Sequence, residues 1–185
     1  MNDSFIKLCN KIKFEYKNTA FENAEIKNVT SNGKWTFELI VESHPKLEDM
    51  LLFKKLLTAS FKKVDLKISY RSIVYDKQLI FDYFKHYVIN SKIKGKDIFS
   101  SLGVDNFSID NDKNLTVNLF DKNMFEKYKE NTSKIEKIFD NLKFPNLKIT
   151  LNLVQEDKKQ SKKLKIKNEL EAFKKSSSNI DPDLD

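Results

Sequence analysis

Cysteine, histidine, glycine, proline and arginine are all scarce in this 185-residue sequence. A lone cysteine, Cys9, cannot form an internal disulfide, and two isolated histidines, His44 and His86, cannot complete a Cys/His zinc cage. The three glycines provide no phosphate-cradling loop, and no Ser, His and Asp order resembles a hydrolase motif. Zinc fingers and thiol redox chemistry are therefore excluded, and we assign no catalytic, cofactor-binding or metal-binding residue and expect no cofactor.

Long hydrophobic runs are also missing. No segment approaches the roughly 18 apolar residues of a membrane span, and residues 1–13 lack the apolar core of a signal peptide. We therefore expect a cytoplasmic protein without membrane contact. Hydrophobic residues make up only 39% of the chain, but 15 phenylalanines and 6 tyrosines can close a core with few residues. The chain is expected to fold.

The net charge of +7 comes almost entirely from lysine, because Arg71 is the single arginine. Arginine supplies the bidentate fork that reads guanine edges, whereas lysine acts as a hydrated point charge. Sequence-specific recognition of DNA is therefore not expected from this composition.

Hydrophobic periodicity predicts the order helix, strand, strand, helix, strand in the first half of the chain. These elements are predicted at 4–13, 25–30, 35–41, 45–62 and 66–70. Asn32-Gly33 provides a hairpin turn between the two strands, since both residues tolerate positive φ angles. Pro45 suits the first turn of the second helix, and His44 is expected to help open that helix.

The same order recurs about 80 residues later. The second set is predicted at 79–89, 96–102, 106–110, 115–120, 121–144 and 147–153, with Asp121 as a helix cap. We therefore predict an α+β protein of two small modules, residues 1–72 and 73–154, each a three-stranded sheet with helices packed on one face. A single six-stranded domain is the alternative.

Residues 155–185 differ in composition from the rest. Eight lysines lie between Lys158 and Lys175, while the apolar side chains are too few for independent folding. We predict a basic, helical or disordered C-terminal tail that acts as a linker. Its lysines could make weak, non-specific contact with DNA through Lys158, Lys159, Lys162, Lys163, Lys165 and Lys167.

Two leucines of the second helix lie outside its main apolar stripe. At 100° per residue, Leu51 and Leu52 fall away from the face that carries Met50, Phe53 and Leu57. Packing within the module would explain them, and so would a surface that docks another protein or domain. We retain Leu51 and Leu52 as candidate docking residues.

A nucleic-acid-binding module of the KH type is the alternative function. KH domains clamp a nucleic-acid backbone with a Gly-x-x-Gly loop, but no pair among Gly33, Gly95 and Gly103 has that spacing. Sheet-based RNA readers stack bases on exposed aromatic residues, and the predicted outward positions of both sheets carry none. The lysine-rich tail is the remaining argument for this alternative.

Several short segments, taken in order, resemble the N-terminal region of PolC-type DNA polymerase III, the replicative α subunit of low-GC Gram-positive bacteria and mollicutes. The resemblance spans about residues 14–154. Its segments are Phe21-Glu22-Asn23-Ala24-Glu25-Ile26-Lys27, Trp35-Thr36-Phe37, Leu56-Leu57-Thr58-Ala59-Ser60-Phe61, Lys94-Gly95-Lys96 and Phe144-Pro145-Asn146-Leu147. Each segment is short, and their joint order and spacing carry the resemblance.

This resemblance implies a function for the chain as part of a larger enzyme. The parent would be a DNA-directed DNA polymerase with 3'-5' exonuclease activity, while the region itself carries no active site. Its two parts would resemble truncated type-II KH modules and the α-binding domain of the clamp-loader subunit tau. The expected partners are replisome proteins, tau or others, and the remainder of the polymerase chain.

Overall fold

The computed structural model describes residues 2–154 and also Ile166, Glu169 and Leu170. The first half forms α1 (Asp3–Ile12), β1 (Glu25–Ser31), β2 (Trp35–Val41), α2 (Leu47–Ser60) and β3 (Val64–Tyr70). The second half forms α3 (Lys77–Ile89), β4 (Phe107–Ile109), β5 (Asn114–Leu119), α4 (Lys122–Asn141) and β6 (Lys148–Leu153). Two short 3₁₀ helices, Lys96–Ser101 and Val104–Asn106, lie between α3 and β4.

Both halves build a three-stranded mixed sheet with the same topology. In the first sheet β2 is central, antiparallel to β1 and parallel to β3. In the second sheet β5 takes the central position between antiparallel β4 and parallel β6. A helix therefore connects the two parallel strands of each sheet, as a parallel connection requires. The predicted α+β architecture of two small sheets with helices is confirmed.

Local signals place the ends of these elements. Gly33 has φ 71°, the left-handed conformation that the β1–β2 turn requires and that glycine adopts without steric cost. The side chain of Asp121 caps α4, since it accepts a hydrogen bond from the backbone N–H of Met124 at 2.8 Å. Helix α2 begins at Leu47, two residues after Pro45, so the predicted start was early.

Each half has its own hydrophobic core. The first core is centred on α1, α2 and the inner face of β2, where Phe5, Phe21 and Phe53 are fully buried. The second core gathers side chains from α3, α4 and β5, including Phe84 and Tyr128. Two separate cores agree with two modules, while the boundary at residues 72 and 73 stays a prediction.

Among the helices that the structure describes, none is long and apolar enough to span a membrane. Apart from Ile166, Glu169 and Leu170, the predicted basic tail lies outside the described residues, and so do Lys158, Lys159, Lys162, Lys163, Lys165 and Lys167. Its proposed contact with DNA therefore stays a prediction.

Candidate docking surfaces

His44 lies at the contact between the two modules. Its imidazole ring stacks on Tyr70 of the first module and on Phe144 of the second, with a centroid distance of 3.8 Å in each case. Nε2 lies 2.7 Å from the carbonyl oxygen of Leu142, 98 residues along the chain. His44 thus bridges the β2–α2 loop and the α4–β6 loop instead of opening α2, and the expectation for it was wrong.

Two further hydrogen bonds cross the same junction. The hydroxyl of Tyr83 donates to the carbonyl of Pro45 at 2.9 Å. The ammonium group of Lys54 lies 3.2 Å from the hydroxyl of Tyr87 and donates to it. Directional bonds of this kind set the placement of the modules relative to one another.

Burial determines the charge of His44, of which only 5% is exposed. A carbonyl oxygen can only accept, so Nε2 carries the proton in the bond to Leu142, while Nδ1 is buried without a partner among the described residues. Burial lowers the pKa of His44 below 6.5, and the hydrogen bond to Leu142 opposes part of that effect. The folded protein therefore holds His44 as the neutral imidazole.

We predict that this histidine makes the protein less stable on mild acidification. The unfolded chain takes up a proton near pH 6.5, whereas folded His44 takes it up only at lower pH, so the unfolding free energy falls as the pH drops below about 6.5. The loss levels off once the pH lies below the pKa of folded His44. Urea melts at pH 7.5, 6.5 and 5.5 would measure this loss, which His44→Gln should abolish and His86→Gln should retain. An NMR titration midpoint of His44 at or above 6.5 would contradict the prediction.

A first groove of about 790 Å³ lies between the start of α2 and the length of α3. We call it the helix groove. Its apolar lining includes Leu47, Leu79 and Val74, of which Val74 is 49% exposed. Along α3 the polar lining is already engaged within the helix, since Gln78 donates to Asp82 at 2.8 Å. His86 also lines this groove, half-buried and edge-on to the ring of Tyr87.

A second groove of about 480 Å³ runs along β3, and we call it the edge groove. Its lining comes from the strand segment from Leu66 to Tyr70, from neighbouring residues of β1 and β2, and from α2, α3 and the end of α4. Among the residues that the structure describes, the charged ones that line it are four lysines and one glutamate: Lys27, Lys54, Lys67, Lys143 and Glu38. The edge groove is therefore strongly basic.

The predicted docking residues lie on α2, outside both cores. Leu52 is 47% exposed, and Leu51 is half-buried. Neither side chain is among those that pack against the first or the second core. Their role in docking stays a prediction, and the structure places them where a partner could reach Leu52.

Two further residues with reactive side chains, Cys9 and Asp110, have structural roles in the fold. Cys9 is fully buried on α1, and burial, with a smaller effect of Glu15, raises the pKa of its thiol to about 12. The carboxylate of Asp110 holds the β4–β5 turn, accepting from the backbone N–H groups of Asp112 and Asn114 at 2.9 Å. Within residues 2–154, no three His, Cys, Asp or Glu side chains are grouped as metal ligands.

The chain was compared with protein-family models, with curated proteins and with solved structures. None of the three comparisons found a match.

Proposed function

We propose that this chain is a non-catalytic docking module from the N-terminal region of a PolC-type DNA polymerase III. In this proposal the polymerase and exonuclease activities belong to the parent enzyme in chromosomal DNA replication. The module holds replisome proteins, such as the clamp-loader subunit tau, close to the polymerase. The ordered resemblance of residues 14–154 to that region motivates the assignment.

The resembling segments mostly build the first core. Phe21 and Ala24 are fully buried, and Phe61 at the end of α2 packs edge-on against Trp35 at 5.2 Å. In the second half, Phe144 is buried and contacts His44 at the junction. The resemblance therefore concerns the scaffold, and it supports a shared fold more directly than a shared surface.

The exposed leucine of α2 is the observation that carries the docking role. Leu52 is 47% exposed, and its neighbour Leu51 is half-buried and belongs to neither core; we call these two side chains the leucine patch. Burial of such a patch by a partner releases roughly 25 cal/mol for each Å² of apolar surface. A protein partner would supply that burial.

A binding experiment with purified proteins tests this proposal. The immobilised chain is mixed separately with clamp loader, primase, helicase, sliding clamp and single-strand-binding protein. We expect it to retain at least one of them, and Leu52→Asp to weaken that binding about tenfold, because the variant places a charge in a desolvated contact. Lys55→Asp is the matched control, since this exposed residue also lies on α2.

Two results would count against the docking role. The first is retention of none of these proteins by the wild-type chain. The second is equal binding by the Leu52→Asp and Lys55→Asp variants, which would move the contact away from the leucine patch.

A further inference from the structure

Within residues 2–154, no strand pairs with the outer edge of β3. Trp35 donates its backbone N–H to Lys63, and Arg71 donates to Val41, so these two bonds bracket the parallel β2–β3 ladder. The backbone N–H and C=O groups of successive residues alternate in direction along a strand. Asp65, Lys67 and Ser69 therefore direct their N–H and C=O groups toward β2. The intervening residues, Leu66, Ile68 and Tyr70, direct their backbone N–H and C=O groups away from β2, into the edge groove. No turn, loop or side chain within residues 2–154 hydrogen-bonds to the backbone of these three.

The edge groove encloses this edge between two walls. Tyr83 and Tyr87 of α3 and the end of α4 face β3 across the groove. The stretch from Leu66 to Tyr70 covers four residue steps, about 13 Å at a rise of 3.3 Å per residue. The volume of the groove, about 480 Å³, suits one short extended segment.

The charges of the edge groove define the chemistry of its occupant. Lys27 and Lys143 are exposed, and the ammonium group of Lys54 donates a hydrogen bond to the hydroxyl of Tyr87. Glu38 is the single acidic residue of the lining within residues 2–154; it lies 3.6 Å from Lys67 and compensates for one of the four lysines. A segment with carboxylates is therefore favoured over a neutral or basic one.

We propose that the edge groove binds an extended acidic peptide segment of a partner protein as a fourth strand of the first sheet. The segment pairs with the outward backbone groups of Leu66, Ile68 and Tyr70, and its carboxylates lie against the four lysines. This proposal rests on the docking function proposed above and specifies the partner's chemistry.

Nucleic acid fits the same groove less well. Its backbone offers no alternating N–H and C=O groups to match those of a strand edge. The ring of Tyr70 is already covered on one face by His44, and Tyr83 is buried, so these aromatic rings are not free platforms for bases. The observations therefore favour a peptide.

The test uses a labelled six-residue peptide that alternates valine and glutamate, added to the full chain at low salt. Fluorescence polarisation measures its binding, and amide hydrogen exchange by NMR locates it. We expect exchange at Leu66, Ile68 and Tyr70 to slow about tenfold, while Asp65, Lys67 and Ser69 change little, because their amides are already paired with β2. A peptide that alternates valine and lysine should not bind, and N-methylation of the acidic peptide on its pairing edge should abolish binding.

A charge-reversal pair provides the protein-side control. We expect Lys27→Glu/Lys67→Glu to weaken binding of the acidic peptide about tenfold or more, whereas Lys55→Glu/Lys62→Glu, with the same charge change at exposed sites outside the groove, has a smaller effect. A thermal melt of each variant confirms that it is folded. If both pairs weaken binding equally, the loss comes from the net charge of the protein and not from the groove, and the proposal is overturned.

Other outcomes also overturn it. Absence of binding would mean that the lysines only protect an open edge from aggregation, a known use of lysine on edge strands. Displacement of the acidic peptide by a single-stranded oligonucleotide, with base-dependent affinity, would assign the groove to nucleic acid. Uniform protection of all β3 amides would show general stabilisation without strand pairing.

These failures can be told apart from a failure of the docking function. If the Lys27→Glu/Lys67→Glu variant retains a replisome protein that Leu52→Asp loses, docking stands and the edge groove is not its site. If the peptide binds as expected while the wild-type chain retains none of the replisome proteins, the edge groove stands and its partner lies elsewhere.

Discussion

Phe53→Ala is expected to lower the free energy of unfolding by about 3 to 5 kcal/mol. Phe53 is fully buried on α2, and its ring lies 4.8 Å from Phe21, 5.1 Å from Phe14 and 6.1 Å from Phe5. Removing it opens a cavity that three other aromatic rings line, and rings of this size cannot collapse into the space without leaving their rotamers.

Urea unfolding followed by tryptophan fluorescence measures this loss. Trp35 is the single tryptophan, and it contacts Phe61 in the first core, so its signal reports on the half of the chain that the substitution affects. Leu52→Ala is the control on the same helix, and we expect it to cost less than about 1 kcal/mol because the side chain is half exposed. Similar losses for both variants would contradict the position of the core.

Local sequence signals predicted most of the fold. The repeated order of elements follows from apolar spacing, and single residues placed several ends, such as Gly33 in the β1–β2 turn and Asp121 at the start of α4. These signals act over a few residues, so a sequence contains them in readable form. The same residues do not show which strands run parallel to one another. That direction depends on the path of the connecting helix.

The junction and the two grooves could not be predicted in this way. His44 contacts residues 98 to 100 positions later in the chain, and nothing near it distinguishes a junction residue from the start of a helix. Trp35 illustrates the limit of a pattern within one strand. The alternation of β2 places it on the buried face, yet it is only partly buried, because it begins the strand beside the exposed turn at Gly33. A pattern gives the face of an element, and tertiary packing decides how much of that face is covered.

His44→Ala is expected to lower the unfolding free energy by about 2 to 4 kcal/mol. The variant loses two aromatic stacking contacts, and it leaves a buried carbonyl without its hydrogen-bond donor. The carbonyl is that of Leu142, and the stacks are those with Tyr70 and Phe144. Because this side chain lies between the modules, the variant should also weaken their coupling. We expect one cooperative transition to separate into two, which calorimetry and residual dipolar couplings measured on each module would detect.

Conservative and distant substitutions separate the bridging role of His44 from general loss of packing. In His44→Gln the side-chain amide can still donate to the Leu142 carbonyl, so this variant should recover part of the stability without recovering the two stacks. His86→Ala, on the half-buried face of α3, should leave a single transition. If His44→Ala unfolds in one step with the wild-type midpoint, the modules are held together by their other contacts, and the hydrogen bonds from Tyr83 to Pro45 and from Lys54 to Tyr87 become the bonds that join them.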